Sequence, residues 1–134
     1  MSAPEEKELP HLPKILIVDD DEATCNYILK ILKKINPAWT ALIAKKGAEA
    51  LERIKAGHYK LVILDLRLPD YHGLDICREI RKWHSNEQTR ILVLSGFLTP
   101  EIEKAVLGAG ADGYLSKMFS LTELTDKINF FENS

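Results

Sequence analysis

The stretch ILIVDD at residues 15–20 ends an apolar run in two acids, and three later stretches repeat this arrangement. LVILD (61–65), ILVLS (91–95) and DGYLSK (112–117) also run from apolar residues into a polar one. Continuous apolar runs without alternation are typical of strands buried on both faces of a parallel sheet. Because parallel strands finish on the same edge, their polar ends are expected to lie close together. The side chains concerned are Asp19, Asp20, Asp65, Ser95 and Lys117.

The segments between these runs carry the periodicity of amphipathic helices. A further strand is predicted over 39–44, and the last one around 113–115. In the third helix, the predicted core face comprises Ile76, Cys77, Ile80 and Trp83. The pattern is a strand followed by a helix, repeated five times. It predicts an α/β fold with a doubly wound, open parallel sheet and five helices.

Composition favours one globular domain without a membrane segment. The chain has 134 residues, with 18 basic and 20 acidic side chains and a formal net charge of −2. This balance gives no sequence-wide attraction to nucleic acid or anionic lipid. No apolar stretch approaches the roughly 20 residues of a membrane helix, and no signal peptide is recognisable, so we expect a cytoplasmic protein. Cys25 and Cys77 are expected to be buried free thiols.

The chain divides into a short leader and a regular domain. Residues 1–13 hold three of the six prolines and no apolar periodicity, so a flexible leader is expected there. The domain is predicted over 14–131, with a tail at 132–134. No pattern of an output domain follows residue 131. A stand-alone domain and a piece of a longer protein both remain open.

The three acids suggest a divalent metal. Like charges in one crevice repel, so such a cluster needs a cation or must lose charge. Carboxylate oxygens together with water and a backbone carbonyl suit Mg²⁺. The alternative for Asp20, or for Asp21, is that it caps the first helix. Asp65 is harder to explain as a cap, because Gly73 opens the next helix only later.

Ser95 and Lys117 each have an ordinary alternative. Ser95 could be a hydroxyl bonded to nearby backbone, and Lys117 could be a solvated surface lysine. At strand ends beside three acids, they could instead contact phosphoryl oxygens. Only the whole constellation distinguishes these interpretations.

Together these motifs resemble the receiver domain of two-component response regulators, a CheY-like and flavodoxin-like fold. The resemblance runs from about Lys14 to Phe131 and includes ILIVDDD, LVILDLRLPDYHG, ILVLSG and GADGYLSK. Asp65 lies 45 residues after Asp20, Ser95 another 30 later and Lys117 a further 22, which is typical of receivers. The resemblance implies the strand order 2-1-3-4-5.

The resemblance also implies roles for the site residues. Asp65 would accept the phosphoryl group from a phosphohistidine, while Ser95 and Lys117 would contact its oxygens. Mg²⁺, or Mn²⁺ in its place, would be held by Asp19, Asp20, Asp65 and the backbone carbonyl of Arg67. Such a domain is a phosphorylatable switch that acts only on its own phosphoryl group.

The switch would link Ser95 to Tyr114, which turns inward in the family when the hydroxyl residue moves. The alternative for Tyr114 is a half-buried edge tyrosine with a solvated hydroxyl. The output surface would be the fourth helix, fifth strand and fifth helix. Implied partners are a sensor histidine kinase or phosphotransfer protein, a downstream output domain or target, and a second copy in a phosphorylation-dependent homodimer. Direct contact of this domain with nucleic acid or membrane is not implied.

The chain departs from the family at Met118, where receivers usually carry a proline after a cis bond. A cis bond to a non-proline residue costs roughly 2.5–4 kcal/mol, so we predict a trans Lys117–Met118 bond.

Two other classes of function compete with the switch. The first is a receiver-like interaction domain that works without phosphorylation. The second is an aspartate-nucleophile phosphatase, but such enzymes carry a second acid two residues after the nucleophile, where this chain has Arg67. A flavodoxin-type cofactor protein would also share the fold, although an acidic strand end would repel a cofactor phosphate.

Overall fold

Five apolar segments form the strands of one sheet in the computed structural model, which describes residues 14–133. The predicted leader 1–13 lies outside the described residues. The strands are β1 (Lys14–Val18), β2 (Thr40–Ala44), β3 (Leu61–Asp65), β4 (Arg90–Ser95) and β5 (Gly113–Ser116). All pair in parallel, in the order β2-β1-β3-β4-β5. The predicted fold class, a doubly wound five-stranded sheet of this order, is confirmed.

Five helices connect and flank the strands. They are α1 (Glu22–Ile35), α2 (Gly47–Ala56), α3 (Gly73–Trp83), α4 (Pro100–Gly108) and α5 (Leu121–Glu132). Side chains cap several of their first turns, because the first backbone N–H groups of a helix have no partner within it. Asp21 caps α1, Thr99 caps α4, and Ser120 with Glu123 forms the predicted capping box of α5. No helix within residues 14–133 is long and apolar enough to span a bilayer.

The helices cover both faces of the sheet with separate apolar cores. Odd-numbered positions of β1 face α1 and α5, where Ile17, Ile28 and Leu124 are buried. Even-numbered positions face α2, α3 and α4, where Leu16 and Ile76 are buried. A fully buried Ile or Leu contributes about 1.5–3 kcal/mol relative to an exposed one. These two layers fix the sheet and therefore the edge at which its strands end.

The prediction of buried, free cysteines is confirmed, but the prediction of one core residue, Trp83, is not. Cys25 and Cys77 are buried free thiols, one on each face of the sheet. Trp83 was expected on the core face of α3, yet its side chain is 51% exposed. It is the last residue of the helix, and Lys55 Nζ lies 5.6 Å from its ring centroid. The prediction for Trp83 is therefore wrong.

A buried ion pair ties the elements together at the amino-terminal edge of the sheet. Arg81 donates to Asp112 Oδ2 at 2.8 Å, to the Gly110 carbonyl at 2.8 Å and to the Thr89 carbonyl at 2.7 Å. Asp112 also accepts from the Ile91 N–H at 2.8 Å. Both side chains are largely buried, at 13% and 8% exposure. This cluster fastens α3, β4 and the start of β5 at the end of the molecule remote from the strand-end acids.

Candidate functional site

The strand register brings the polar strand ends to one edge of the sheet. Val18 pairs with Leu64, so the residues that follow them, Asp19 and Asp65, are neighbours. Ser95 pairs with Ser116 in β5, and Lys117 follows directly. Asp19, Asp65 and Ser95 are all buried.

Lys117 bridges two acids that stand 46 residues apart in sequence. Its Nζ lies 3.0 Å from Asp19 Oδ2 and 3.2 Å from Asp65 Oδ2. Burial acts to lower the pKa of Lys117, but its hydrogen bonds and charge interactions with the two carboxylates outweigh burial and raise the pKa. The lysine is therefore held as a cation between two acids, and it is not a solvated surface lysine.

Lys117 does not satisfy all the hydrogen-bonding capacity and negative charge of the Asp19 carboxylate. Its Oδ1 accepts the Asp21 N–H at 2.9 Å and a bond from Lys117 Nζ at 3.3 Å. Its Oδ2 accepts no well-directed hydrogen bond from any described residue. Burial raises the pKa of Asp19, and the nearby Asp65 charge adds to that effect, while the bonds from Asp21 and Lys117 oppose it. A buried carboxylate oxygen without a hydrogen bond indicates a place for a further positive partner.

The three acids together have the donors of a divalent cation site. One carboxylate oxygen from each of Asp19, Asp20 and Asp65 lies within 4.8 Å of the others. Asp20 is exposed, so water can complete a coordination shell on that side. A set of hard oxygen donors with access to water fits Mg²⁺, which keeps part of its hydration shell in proteins. Asp21, one residue further on, caps α1 instead.

The loop after Asp65 folds back onto that residue. The Arg67 N–H donates to Asp65 Oδ1 at 3.2 Å, and the Gly73 N–H donates to the Leu66 carbonyl at 2.8 Å. Gly73 permits this return, because a Cβ there would lie 2.6 Å from Leu66 Cα and 2.7 Å from the Asp65 carbonyl oxygen. The loop therefore begins beside the carboxylate of Asp65 and ends against the backbone of Asp65 and Leu66.

Ser95 lies at the same edge, but its hydroxyl is directed into its own loop. Its Oγ donates to the Phe97 carbonyl at 3.0 Å and accepts the Phe97 N–H at 3.2 Å. Phe97 itself is 66% exposed. The two bonds match the alternative in which this serine bonds to nearby backbone. In this arrangement its hydroxyl makes no hydrogen bond to Asp65.

Tyr114 on β5 is partly buried against the core of the α2, α3 and α4 face. Burial raises the pKa of its hydroxyl, and the Glu103 carboxylate of α4 raises it further. Lys127 Nζ lies 6.0 Å from the ring centroid. Tyr114 is thus placed between α4 and α5, while its role as a switch stays a prediction.

The segment that carries Lys117 is fixed through its backbone. The Lys117 N–H donates to the Ser95 carbonyl at 2.7 Å, which continues the β4–β5 pairing by one residue. No cis peptide bond occurs in residues 14–133, so the Lys117–Met118 bond is trans, as predicted. Met118 is 90% exposed and takes no part in the site.

Asp70, in the loop between β3 and α3, joins this loop to α2 and was not identified from the sequence. Its carboxylate bonds to the first two N–H groups of α2, at 2.7 Å to Gly47 and 3.0 Å to Ala48. In sequence, Asp70 follows a proline in a turn, where aspartate is an ordinary turn former. The one available signal was that α2 begins after Lys46, a residue whose side chain provides no cap.

The fold and the site define an α/β protein of the CheY-like kind, with an acid cluster and a lysine at the carboxyl edge of a 2-1-3-4-5 sheet. The model of the response regulator receiver domain family matches residues 15–129. The chain therefore belongs to the receiver domain family of two-component response regulators. Members of this family are signalling switches and not enzymes of the ordinary kind.

Particular relatives show how such domains are used. The chain is 35% identical over 117 residues to the response regulator ArlR of Staphylococcus saprophyticus, and the match covers 87% of this chain. It is 35% identical over 119 residues, again 87% of this chain, to hybrid signal transduction histidine kinase G of Dictyostelium discoideum. A crystal structure of a CheY-like receiver domain protein from Methanospirillum hungatei matches with a TM-score of 0.81 and 28% identity, covering 91% of this chain and 95% of that one. The chain spans about half the length of ArlR, 51%, and 3% of the hybrid kinase.

Proposed function

We propose that the domain accepts a phosphoryl group on Asp65 from a phosphohistidine of a partner kinase or phosphotransfer protein. The observation that carries the proposal is the position of Asp65 between Lys117 and two further acids in a buried edge of the sheet. Phosphoryl transfer requires mainly positioning and neutralisation of charge. Lys117, together with a cation held by the three acids, would supply the neutralisation. The likeness to a hybrid histidine kinase supports a phosphohistidine donor.

In the transfer step, a carboxylate oxygen of Asp65 forms a bond to phosphorus as the P–N bond to the donor imidazole breaks. The electron pair of that bond returns to the imidazole nitrogen, and Asp65 becomes an acyl phosphate. Lys117, 3.2 Å from Asp65 Oδ2, is placed to neutralise a phosphoryl oxygen. Asp19, Asp20, Asp65 and the Arg67 carbonyl would hold Mg²⁺, which when bound offsets negative charge on the phosphoryl oxygens.

Signalling would follow from a competition for Ser95. Its hydroxyl bonds to Phe97 in the present arrangement, and a phosphoryl group on Asp65 would offer it a charged acceptor instead. A phosphoryl group can bias an equilibrium only through such a difference in contacts between two states. Movement of the β4–α4 loop would then reach Tyr114 and the surface formed by α4, β5 and α5, where an output domain, a target or a second copy would bind.

The experiment is phosphorylation by acetyl phosphate with Mg²⁺, followed by intact mass spectrometry. We expect one phosphoryl group on the wild-type chain and none on Asp65→Asn, because the amide is a far weaker nucleophile than the carboxylate. Asp75→Asn is the matched control, since Asp75 is an exposed acid on α3 paired with Arg78. Chelation of the metal should also prevent the addition.

Absence of any addition to the wild-type chain would contradict the proposal, and so would addition that persists in Asp65→Asn. The competing function is an interaction domain that acts without phosphorylation. It predicts partner binding of equal strength before and after treatment with acetyl phosphate. The cluster of Asp19, Asp65 and Lys117 does not favour that alternative, because docking alone has no use for a buried excess of negative charge.

A further inference from the structure

The loop between β3 and α3 is anchored at its tip to a different helix. Asp70 accepts the Gly47 N–H through Oδ1 at 2.7 Å and the Ala48 N–H through Oδ2 at 3.0 Å. These N–H groups open α2, and the residue at its N-cap, Lys46, makes no side-chain capping bond. The carboxylate of Asp70 therefore caps a helix that begins more than 20 residues earlier in the chain.

A second contact holds the same two segments together. A Cβ placed on Gly47 would lie 2.7 Å from Tyr71 Cβ and 2.7 Å from Tyr71 Cδ1. The absence of a side chain at Gly47 thus lets the tyrosine lie directly against the start of α2. Asp70 and Tyr71, two consecutive loop residues, dock on the same turn of helix.

The base of this loop belongs to the proposed phosphoryl site. Its first residues include Arg67, whose N–H donates to Asp65 Oδ1 at 3.2 Å and whose carbonyl is a proposed metal ligand. The loop closes where the Gly73 N–H meets the Leu66 carbonyl at 2.8 Å. A displacement at the tip therefore moves backbone that surrounds Asp65.

The helix that receives Asp70 is itself connected to the other acids of the site. It follows β2, whose last residue, Ala44, accepts the Asp19 N–H at 3.1 Å. Hydrogen bonds thus run from Asp19 to the end of β2 and from the start of α2 to Asp70. Together with the bond between Arg67 and Asp65, they connect the acid cluster to β2 and α2, while Lys117 follows β5 at the other end of the strand order.

We propose that Asp70 is a positioning residue for the Mg²⁺ site, holding the β3–α3 loop against α2 so that Arg67 and Asp65 keep the spacing the ion requires. The inference rests on the proposed function and deepens it. Without the anchor, ion binding must also order the loop, and that ordering costs conformational entropy. A negative side chain at a helix N-terminus is favourable in itself, which keeps the anchor in place before any ion binds.

The protonation state of Asp70 agrees with this arrangement. Burial acts to raise its pKa, but the hydrogen bonds from the Ala48 and Gly47 N–H groups oppose burial, and the pKa is lowered overall. Asp70 is therefore a carboxylate at neutral pH and can accept both bonds at once.

The test compares Asp70→Ala with Glu49→Ala. Glu49 is a matched control because it also places a carboxylate at the start of α2, where it accepts the Lys45 N–H at 3.2 Å, but it has no bond to the β3–α3 loop. Mg²⁺ alone is titrated calorimetrically into each folded chain, and stability is followed by urea unfolding. We expect Asp70→Ala to weaken Mg²⁺ binding about tenfold, as loss of an outer-shell partner does, and Glu49→Ala to change it less than about twofold.

Two further measurements separate positioning from general destabilisation. Asp70→Asn keeps the shape and one acceptor, so its Mg²⁺ affinity should fall between those of the wild type and Asp70→Ala. In labelling by acetyl phosphate, the Mg²⁺ concentration for half-maximal rate should rise about tenfold in Asp70→Ala. The rate at saturating Mg²⁺ should stay close to that of the wild type. If Asp70→Ala does not fold, Asp70→Asn is compared with Glu49→Ala instead, and the expected loss of Mg²⁺ affinity is smaller.

Equal Mg²⁺ affinity in the wild type and the Asp70 variants would overturn the inference. An equal loss in Glu49→Ala would also overturn it, because the effect would then come from a weakened α2 alone. A wild-type chain that binds no Mg²⁺ and accepts no phosphoryl group would overturn the proposed function, and this inference with it. The two failures are therefore distinguishable.

Discussion

The two edges of the sheet each hold a buried acid beside a basic side chain, but the two acids differ in how completely their charge is matched. At the amino-terminal edge, Asp112 contacts two guanidinium groups, Arg81 at 2.8 Å and Arg90 at 3.3 Å, and accepts the Ile91 N–H. At the carboxyl edge, Asp19 and Asp65 share the single ammonium group of Lys117.

This difference separates a structural charge cluster from a site prepared for a ligand. Asp112 has more than one cation and several directed donors, so the amino-terminal edge has no further demand for positive charge. The carboxyl edge keeps an excess of negative charge and a carboxylate oxygen of Asp19 without a hydrogen bond. Like charges at such short range are tolerated when a further cation can bind. We therefore expect substitutions at the two edges to affect stability in opposite directions.

Arg81→Met should produce the largest change in stability. The substitution keeps most of the side-chain volume but removes the Arg81 guanidinium from Asp112, from the Gly110 carbonyl and from the Thr89 carbonyl. Removing one partner of a buried ion pair costs about 3–5 kcal/mol, and we expect a loss in the lower part of this range because Arg90 remains. Urea unfolding measures the loss.

Arg78→Met serves as its control. Arg78 pairs with Asp75 at 3.1 Å on the exposed face of α3, where ion pairs contribute about 0–1 kcal/mol. If the two variants lose similar amounts of stability, the description of the amino-terminal edge as a structural cluster is wrong.

Asp19→Asn should have a smaller effect of the opposite sign when Mg²⁺ is absent. The amide keeps an acceptor for the Asp21 N–H and relieves the repulsion between Asp19 and Asp65. Residues that serve a site at the expense of stability commonly gain on the order of 1 kcal/mol when replaced. We expect a gain of this order in the free energy of unfolding, measured in urea with a chelator present.

The same variant should lose the stabilisation that added Mg²⁺ gives to the wild-type chain. Asp126→Asn, an exposed acid on α5, is the control for the change in net charge and should behave like the wild type in both conditions. A clear loss of stability in Asp19→Asn without metal would argue against an excess of negative charge at this edge.

His58 should give the smallest effect, again at the amino-terminal edge. Burial lowers its pKa below the ordinary 6.5, and the positive charges of His84, Lys14 and Lys60 add to that effect. The unfolded chain therefore binds a proton more readily than the folded chain does just below pH 6.5. The contribution of neutral His58 is complete above this pH and is lost as the pH falls.

Thermal unfolding measured between neutral and mildly acidic pH tests this expectation. His58→Gln should lose less stability on acidification than the wild-type chain. The rings of His58 and His84 have centroids 5.4 Å apart, so His84→Gln is the variant with which His58→Gln is compared directly. If the stability of the wild type and that of His58→Gln depend on pH equally, the expectation for His58 is wrong.

Features that repeat locally along the chain could be predicted from the sequence. The apolar runs predicted β1, β3 and β4 and their shared edge, because burial on both faces leaves no room for polar alternation. The caps Thr99 and Ser120 were recognisable, since each acts within three residues of itself. The prediction for Trp83 was wrong because periodicity assigns a residue to the apolar stripe of a helix but does not indicate whether the last turn of that stripe is covered.

Pairings between distant segments could not be predicted in the same way. The ion pair of Arg81 with Asp112 spans 31 residues, and the bond from Gly47 to Asp70 spans 23. Arg81, Asp112 and Asp70 each lie in a segment where a charged residue is ordinary. Only the packing of helices onto the sheet brings the partners together, so their contacts depend on the finished fold.

The hydroxyl of Ser95 uses both its donor and its acceptor capacity on the backbone of Phe97. Any ligand that draws this hydroxyl away must release the Phe97 amide to water or to another acceptor. The amide resonance of residue 97, and its rate of hydrogen exchange, therefore report the orientation of a side chain two positions earlier. A single nuclear magnetic resonance signal from this solvent-facing loop would read out a rearrangement that begins inside the protein.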